Sequence, residues 1–335
     1  MEGFLESLKA VNIPGSVNAE IILATNACVD QSEEIVKKFL KGIRDVVEVE
    51  VLPKIEGDPQ LDPFALSVKE GNVKFSYIST EKPGKASMLT TANEILLKGK
   101  FFDQVGPKVL MVSDSDAYME PDALAILYGD AKRHFEDPEK NGVLVWGNYK
   151  LSKRPNDGLD IRKVLGPILG FRQGIIQKHP NKFSATGCLF ALDADWVEEV
   201  GGVPKVAIED LALSYVAAVN GREIHDSEQA FTHVYGPNNV KEFLSANIRY
   251  ARGALQIREM GESYAKLMDR RDPGYSGTFY ERVYRRGLAV LQGRRSPLRE
   301  VYEITLKEYF LRKAQQELND VSNNSETWEA IKSTK

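Results

Sequence analysis

The chain has 335 residues, of which 42% are hydrophobic and 27% are charged, so it contains enough apolar side chains to form a large folded core. A formal net charge of -4 gives no overall attraction to polyanions, which argues against a nucleic-acid-binding protein. The two cysteines, Cys28 and Cys188, lack metal-ligand spacing, and no apolar run reaches the ~18 residues that span a bilayer, so we expect a cytoplasmic protein, at most peripheral at the inner membrane face.

Short apolar runs alternate with stretches of helical period over roughly the first 235 residues, which predicts an α/β fold with a mostly parallel sheet and helices on both faces. In chain order, the first half is predicted to contain a helix over 1–11, a strand over 19–24, a helix capped by Ser32, a strand over 46–51, a long loop over 52–72, a strand over 72–78 and a helix after Gly84.

The second half continues the alternation. The apolar run VLMV predicts a buried strand that ends at Asp114. A variable stretch over 150–182 is followed by the small-residue segment SATGCLFALDADW and by a helix closed by Gly221, then by a further strand. From Val240 onward the pattern is helical and strongly charged. We therefore expect a catalytic domain over 1–238 and a helical extension over 239–335.

The strongest chemical signal is the pair Asp114 and Asp116, which directly follows the apolar strand. In open α/β sheets, ligands collect beyond the carboxyl ends of the strands. In an extended segment residues i and i+2 point the same way, so both carboxylates can converge on one divalent cation. Hard oxygen ligands favour Mg²⁺ or Mn²⁺. The alternative is a polar loop of solvated acids.

A second acidic pair, Glu209 and Asp210, lies at the start of the helix LALSYVAAVNG. A carboxylate that deprotonates a hydroxyl needs a rigid mount, and a helix start provides one, so Asp210 is a candidate general base. The alternative is that Asp210 is simply the N-cap of this helix, a common use of Asp.

Polar residues near other predicted strand and helix ends are candidates for nucleotide binding. Lys85 follows Gly84 and can contact a phosphate or order the acidic site, although a surface lysine is the default for any single Lys. Asn26 and Asp30 follow the first predicted strand, where they can contact a nucleobase or ribose. An Asx turn with a helix cap explains the same residues equally well.

Three further residues complete the candidate set. His233 is a candidate third metal ligand, since imidazole suits Mn²⁺ acceptably, with an ordinary packed or exposed histidine as the alternative. Arg249 and Arg252 lie on a predicted helix and are candidates to hold a diphosphate bidentately, with a solvated basic helix face as the alternative.

Taken in order, several segments resemble the motif series of inverting family 2 glycosyltransferases of the GT-A fold: NACVD, GKASMLTTAN, VSDSD, SATGCLFALDADWVEEVGG, IEDLALSYVAAVNG and IRYARG. The likeness covers roughly residues 1–260 and is closest to the branch with cellulose, chitin and hyaluronan synthases and ceramide glucosyltransferase. It implies a GT-A type, Rossmann-like sheet. It also implies that Asp30 contacts the base, that Asp114 and Asp116 lie at the diphosphate and metal, and that Asp210 is the catalytic base.

The chain departs from this family pattern in two places. The family begins with a central strand, whereas this chain opens inside the helix that follows it, so we expect an open slot in the sheet beside 19–24. In the Gln-x-x-Arg-Trp signature the first position is Ala246 and the last is Tyr250, with only Arg249 kept. The altered signature favours a single transfer. Compared with the processive members, the chain also lacks membrane spans, so we expect no built-in export channel.

The resemblance implies transfer of a sugar from a UDP- or GDP-sugar to a carbohydrate or lipid-linked acceptor, with Mn²⁺ or Mg²⁺ as cofactor. One competing class is the haloacid dehalogenase-like phosphotransferases, which also place an Asp-x-Asp after an apolar strand. Those enzymes have a Thr soon after the second Asp, where this chain has Ala117 and Tyr118. The non-enzymatic alternative is a degenerate module that binds a nucleotide sugar without turning it over.

Overall fold

The chain has an α/β fold, as predicted, seen here in a computed structural model. The structure describes residues 2–13, 19–26, 31–42, 67–70, 73–80, 85–98, 108–137, 139–152, 187–235, 239–271, 283 and 297–323. Everything below concerns these residues.

The first part of the chain follows the predicted order of elements with one addition. Its elements are α1 (Glu2–Lys9), β1 (Ala19–Asn26), α2 (Ser32–Gly42), β2 (Ser67–Glu70), β3 (Val73–Thr80) and α3 (Lys85–Lys98). The addition is β2, which occupies part of the predicted loop over 52–72 because it pairs with β3 in an antiparallel hairpin. The strand predicted over 46–51 lies outside the described residues.

The central part of the chain contains the larger, five-stranded sheet. Its elements are β4 (Val109–Ser113), β5 (Ala117–Met119), α4 (Ala123–Phe135), β6 (Gly142–Ser152), β7 (Leu189–Asp193), α5 (Ala194–Glu199), α6 (Glu209–Val219) and β8 (Glu223–Tyr235). Gly221, two residues after the last helical residue of α6, closes this helix, as predicted. Gly221 has a φ of 68°, and the Arg222 amide donates back to the Ala217 carbonyl, which closes the helix.

The last part is helical, as its pattern predicts: α7 (Val240–Glu259), α8 (Glu262–Arg271) and α9 (Pro297–Asn323). Phe310 and Leu311 of α9 pack against Phe243 and Ala251 of α7 in a small separate core. Over the described ranges, no helix combines the length and apolar character needed to cross a membrane.

The strands form two mixed sheets, with orders β1-β3-β2 and β4-β7-β6-β8-β5. The pairs β1–β3 and β6–β8 are parallel, and the other four are antiparallel. The sheet is therefore less parallel than the alternation of strands and helices predicts. Hydrophobic periodicity identifies a strand but carries no information on its direction, and β5 follows β4 after a short turn, without the helical crossover that parallel neighbours need.

Side chains of the five-stranded sheet alternate between two apolar cores, one on each face. On β7, Phe190 and Leu192 face the core that α3, α5 and α6 cover, whereas Leu189 and Ala191 face the core that α1, α2 and α4 cover. Strand β6 alternates in the same way over Leu144, Val145 and Trp146. The central strands are thus covered on both faces, which gives the loops at their ends a rigid base.

Strand β1 contributes to the same two cores. Ile22 packs against one core, and Ile21 and Leu23 belong to the other. Strand β1 therefore lies in the same layer as β4, between the two cores. Over the described residues, β1 has a hydrogen-bonded strand only on its β3 side, and β4 only on its β7 side. Residues 2–9 form a helix. The slot predicted beside 19–24 stays a prediction, because residues 14–18 and 43–66 lie outside the described part of the chain.

Candidate active site

The candidate site lies where β4 ends and the chain turns sharply into β5. The Asp114 amide donates to the Cys188 carbonyl at 3.3 Å, and the Ala117 amide donates to the Asp114 carbonyl at 3.0 Å. This turn holds Asp114, half-buried, toward the protein and leaves Asp116 exposed. The two carboxylates therefore face different surroundings although they are two residues apart.

Lys85, the first residue of α3, joins the acidic residues of two separate segments. Its Nζ lies 2.5 Å from Asp114 Oδ1 and 2.7 Å from Glu209 Oε1. The same Nζ also donates to the Gly187 carbonyl at 3.4 Å. One ammonium group thus connects the end of β4, the start of α6 and the segment before β7, and Lys85 is not the surface lysine of the alternative interpretation.

The charges of this cluster depend on one another. Burial lowers the pKa of Lys85, but the carboxylates of Asp114 and Glu209 more than offset that effect, so the pKa is raised overall and Lys85 stays an ammonium. Burial raises the pKa of Asp114 even though Lys85 acts in the opposite direction. The cluster therefore holds negative charge around one fixed cation.

Asp210 is the second residue of α6 and is 7% exposed. Burial raises its pKa to about 7, and the charges of Glu209 and Asp114 add to the increase. The helix N-cap is Ile208, which makes no side-chain cap hydrogen bond. The interpretation of Asp210 as an N-cap is therefore wrong, because the helix starts two residues earlier than an N-cap at Asp210 requires.

Gly187 lies directly against the Asp210 carboxylate. A methyl group at Gly187 would come within 2.9 Å of Asp210 Oδ2, so any side chain here would displace the acid. The next residue, Cys188, has its pKa raised to about 12 by burial and then by Asp114, Asp116 and Asp210. The thiol is thus protonated at neutral pH and is not a nucleophile.

The predicted metal ligands fit a cation that arrives with a phosphate-bearing ligand. Within the described residues, no group of three or more His, Cys, Asp or Glu side chains is arranged to hold a metal ion. Mg²⁺ is commonly held by one or two carboxylates together with substrate phosphates rather than by a complete protein cage. Asp114 and Asp116 provide such carboxylates, and the exposed Asp116 is the more accessible of the two.

The structure places His233 beside Glu120. His233 lies on β8 opposite Tyr118, and its Nε2 is 3.1 Å from Glu120 Oε1. Lys150 Nζ contacts the same oxygen at 2.6 Å, and that hydrogen bond is the main reason why the pKa of Glu120 is lowered. His233 therefore has a carboxylate partner in this structure, and its role as a metal ligand stays a prediction.

The two arginines of α7 differ in their surroundings. Arg249 is exposed, whereas Arg252 Nη1 contacts Glu317 Oε2 of α9 at 3.2 Å. Burial lowers the pKa of Arg252. Tyr250, between them, has its pKa raised to about 12, first by desolvation and then by Asp210. Tyr250 thus lies within electrostatic reach of Asp210. The roles of Arg249 and Arg252 as diphosphate ligands stay predictions.

The predicted base and ribose contacts are described only in part. Asn26 is the last residue of β1, and its backbone lies opposite Thr80 of β3. Its side chain and Asp30 lie outside the described atoms. Both stay predictions.

Two residues of the site were not among the sequence candidates. Glu209 was noticed only as the neighbour of Asp210, yet it is Glu209 that binds Lys85. Gly187 carries no chemistry of its own, and the small-residue run SATG was the only sequence signal for it. Both residues act by fixing the position of a charged partner, which a motif of reactive residues does not reveal.

Replacing Lys85 by Met tests whether this cation holds the acidic cluster together. Lys85→Met roughly keeps the length of the side chain but leaves Asp114 and Glu209 close together without a counter-charge. Because the pair is about one-third exposed, we expect a loss of about 1–2 kcal/mol in urea unfolding, less than for a fully buried pair.

The control for this prediction is Lys132→Met. Lys132 pairs with Glu136 on the exposed face of α4 at 3.8 Å, and its loss should change stability by less than about 0.5 kcal/mol. Equal losses for the two variants would contradict the structural role of Lys85.

Comparisons with known proteins find similar chains among the solved structures. No protein-family profile matches the chain, and no curated protein matches it in sequence. Among solved structures, the chain is similar to the mannosyltransferase PcManGT from Pyrobaculum calidifontis in complex with GDP-Man and Mn²⁺. The two share 14% identity with a TM-score of 0.44, over 96% of this chain and 83% of the other. A likeness at this level does not bear on function.

Proposed function

We propose that this protein is an inverting glycosyltransferase that moves a sugar from a nucleoside-diphosphate sugar to an acceptor hydroxyl with the help of a divalent cation. The observation that supports this most is the convergence of Lys85, Asp114 and Glu209, which brings the buried carboxyl of Asp210 to the same site. A buried carboxyl with a raised pKa, beside the carboxylates of Glu209 and Asp114, can act as the general base for an acceptor hydroxyl that attacks the anomeric carbon of the donor.

In this proposal, residues 1–238 bind the donor and residues 239–335 form a helical extension that supports them. Asn26 and Asp30 contact the base and ribose. Asp114 and Asp116 hold Mn²⁺ or Mg²⁺, which when bound supplies positive charge against the developing charge of the leaving diphosphate. Lys85 and Arg249 add fixed positive charge from the protein.

Asp210 performs the proton transfer. Its carboxylate accepts the proton of the acceptor hydroxyl as that oxygen forms a bond to the anomeric carbon. The bond from this carbon to the diphosphate oxygen breaks at the same time, and the nucleoside diphosphate leaves. Because attack and departure occur on opposite faces, the anomeric configuration inverts. The proton ends on Asp210 and returns to solvent after the product leaves.

The acceptor class follows less directly from the site. A carbohydrate or a lipid-linked hydroxyl fits the family resemblance. Tyr250 stands at the position where the processive members have a tryptophan, which favours one transfer per encounter. A neutral Tyr250, its pKa raised to about 12, adds no charge to the site.

The pH dependence of turnover follows from Asp210. With a pKa of about 7, the base form increases as the pH rises through that value. We expect kcat to rise from about pH 5 and to level off above about pH 8, with an apparent pKa near that of the base. Measurement of kcat at saturating donor and metal checks this, and a kcat that falls over the same interval would exclude Asp210 as the base.

The direct test is an assay of the purified protein with UDP- and GDP-sugars in the presence of Mn²⁺ or Mg²⁺. A thermal-shift screen identifies the donor, and detection of the released nucleoside diphosphate together with the glycosylated acceptor establishes transfer. Release of inorganic phosphate would instead indicate the phosphotransferase alternative. Donor binding without any release of nucleotide would indicate a binding module.

A further inference from the structure

Helix α7 crosses the segment that leads into α6 at an unusually small distance. Gly253 of α7 is buried against Ile208, the residue immediately before Glu209 and Asp210. A methyl group at Gly253 would lie 2.5 Å from Ile208 Cγ1 and 2.9 Å from Cδ1. These distances are roughly 1 Å below an ordinary carbon–carbon contact, so only glycine permits this approach.

A second contact joins the same two segments. Gln256, one turn further along α7, accepts a hydrogen bond from the Ala207 amide at 2.8 Å through its Oε1. Gly253 and Gln256 are three residues apart and therefore lie on the same side of the helix. Together they hold two successive residues, Ala207 and Ile208.

The start of α6 has no side-chain cap that would fix it locally. Ile208 stands at the N-cap and makes no capping hydrogen bond through its side chain. The orientation of the first turn, which carries Glu209 and Asp210, therefore depends on what packs against Ala207 and Ile208. In this structure α7 packs there.

We propose that α7 is the positioning element for the general base, with Gly253 and Gln256 as positioning residues that fix Asp210 through Ile208 and Ala207. This inference rests on the proposed role of Asp210. The same helix carries Tyr250, which lies within electrostatic reach of Asp210, so one element positions both residues.

The first test introduces a methyl group at the close contact. In Gly253→Ala, Ile208 and the first turn of α6 must shift, and we expect kcat to fall by about 10- to 100-fold, since a displacement of about 1 Å at a catalytic group has effects of this size. The Mn²⁺ dependence of donor binding should change less than kcat, because Asp116 lies after β4 and outside α6.

The second-site variant Ile208→Ala distinguishes positioning from a general packing defect. It removes both atoms that the new methyl group would meet, Cγ1 and Cδ1, and leaves Cβ at 3.1 Å. The double variant Gly253→Ala/Ile208→Ala should therefore recover most of the lost kcat. The matched control is Gly129→Ala on α4, where a methyl group meets no atom within 4 Å and kcat should not change.

The hydrogen bond from Ala207 is tested by a pair of variants at Gln256. Gln256→Leu removes the acceptor, whereas Gln256→Glu keeps an oxygen at that place. Amide hydrogen exchange over residues 207–211 should accelerate in the Leu variant and stay near wild type in the Glu variant. This readout needs no turnover, and it decides the proposal even if Gly253→Ala does not fold.

The outcomes separate this inference from the proposed function. A wild type without transferase activity overturns the proposed function, while the exchange rates still report whether α7 fixes residues 207–211. In an active wild type, an unchanged kcat for folded Gly253→Ala overturns the positioning role. A loss of kcat that Ile208→Ala does not relieve also overturns the positioning role. Equal amide exchange in the two Gln256 variants overturns it as well.

Discussion

Asp210→Asn is expected to reduce kcat by about two to four orders of magnitude, since it removes the only proton acceptor proposed for the attacking hydroxyl. The replacement keeps the size and polarity of the side chain. The donor should bind with near-normal affinity, because the loss affects the transition state rather than the ground state. Sugar transfer and isothermal donor titration, run side by side on both proteins, measure the two effects. A variant with more than about a tenth of wild-type kcat would exclude Asp210 as the base.

The stability of the Asp210→Asn variant provides the control, because it should rise while the activity falls. The pKa of Asp210 is about 7 in the folded protein against an ordinary value of 3.8. A raised carboxyl pKa stabilises the folded state below the unfolded pKa, and this contribution is lost as the pH rises toward the folded pKa. Asparagine does not titrate, so the variant should become more stable than the wild type as the pH increases from about 4 to 7. A loss of activity with a gain in Tm cannot result from unfolding.

Asp116→Ala is expected to abolish the part of donor affinity that depends on Mn²⁺. Asp116 is the exposed carboxylate of the pair, whereas Asp114 already contacts Lys85 at 2.5 Å. Without Asp116, the diphosphate would meet the remaining negative charges with less cation to screen them. In the wild type, the Kd for the donor should differ by tenfold or more, about 1.4 kcal/mol, between titrations with and without Mn²⁺. In the variant the two Kd values should converge.

Asp122→Ala serves as the comparison for that measurement. Asp122 lies just beyond β5, is exposed, and accepts a hydrogen bond from the Asn12 amide at 3.2 Å, away from the Lys85 cluster. Its removal should leave the Mn²⁺ dependence unchanged. If Asp116→Ala retains the full difference between titrations with and without Mn²⁺, the assignment of the cation to this carboxylate is wrong.

The sequence predicts the elements of this fold better than it predicts how they pair. Apolar period and turn residues locate β1, β4 and α6 to within a few residues. The antiparallel pairing of β4 with β7 is not visible from period, because it depends on contacts between residues about 80 positions apart. The hairpin of β2 with β3 was missed because the preceding segment is rich in turn-forming residues.

At the site, the sequence identifies the reactive groups but not the residues that position them. Lys85 and Asp114 are recognised from their places after a glycine and after an apolar strand, and the structure brings them into contact. The N-cap interpretation of Asp210 is wrong by two residues, which is within the usual uncertainty of a helix boundary but reverses the chemical meaning. Gly253 and Gly187 are required for steric reasons that only the packed chain reveals.

The contacts of Lys85 also bear on how the molecule reaches its native state. Its two carboxylate partners belong to segments far along the chain, after β4 and at the start of α6. Forming such non-local contacts requires closure of long loops, whose entropic cost must be met before the contacts stabilise anything. Local helices and hairpins can form without this ion cluster. The cluster itself forms only when α3, the end of β4 and the start of α6 are packed together. Catalytic competence is therefore tied to the last stage of folding, and a partly folded chain does not acquire a working acid–base site ahead of its core.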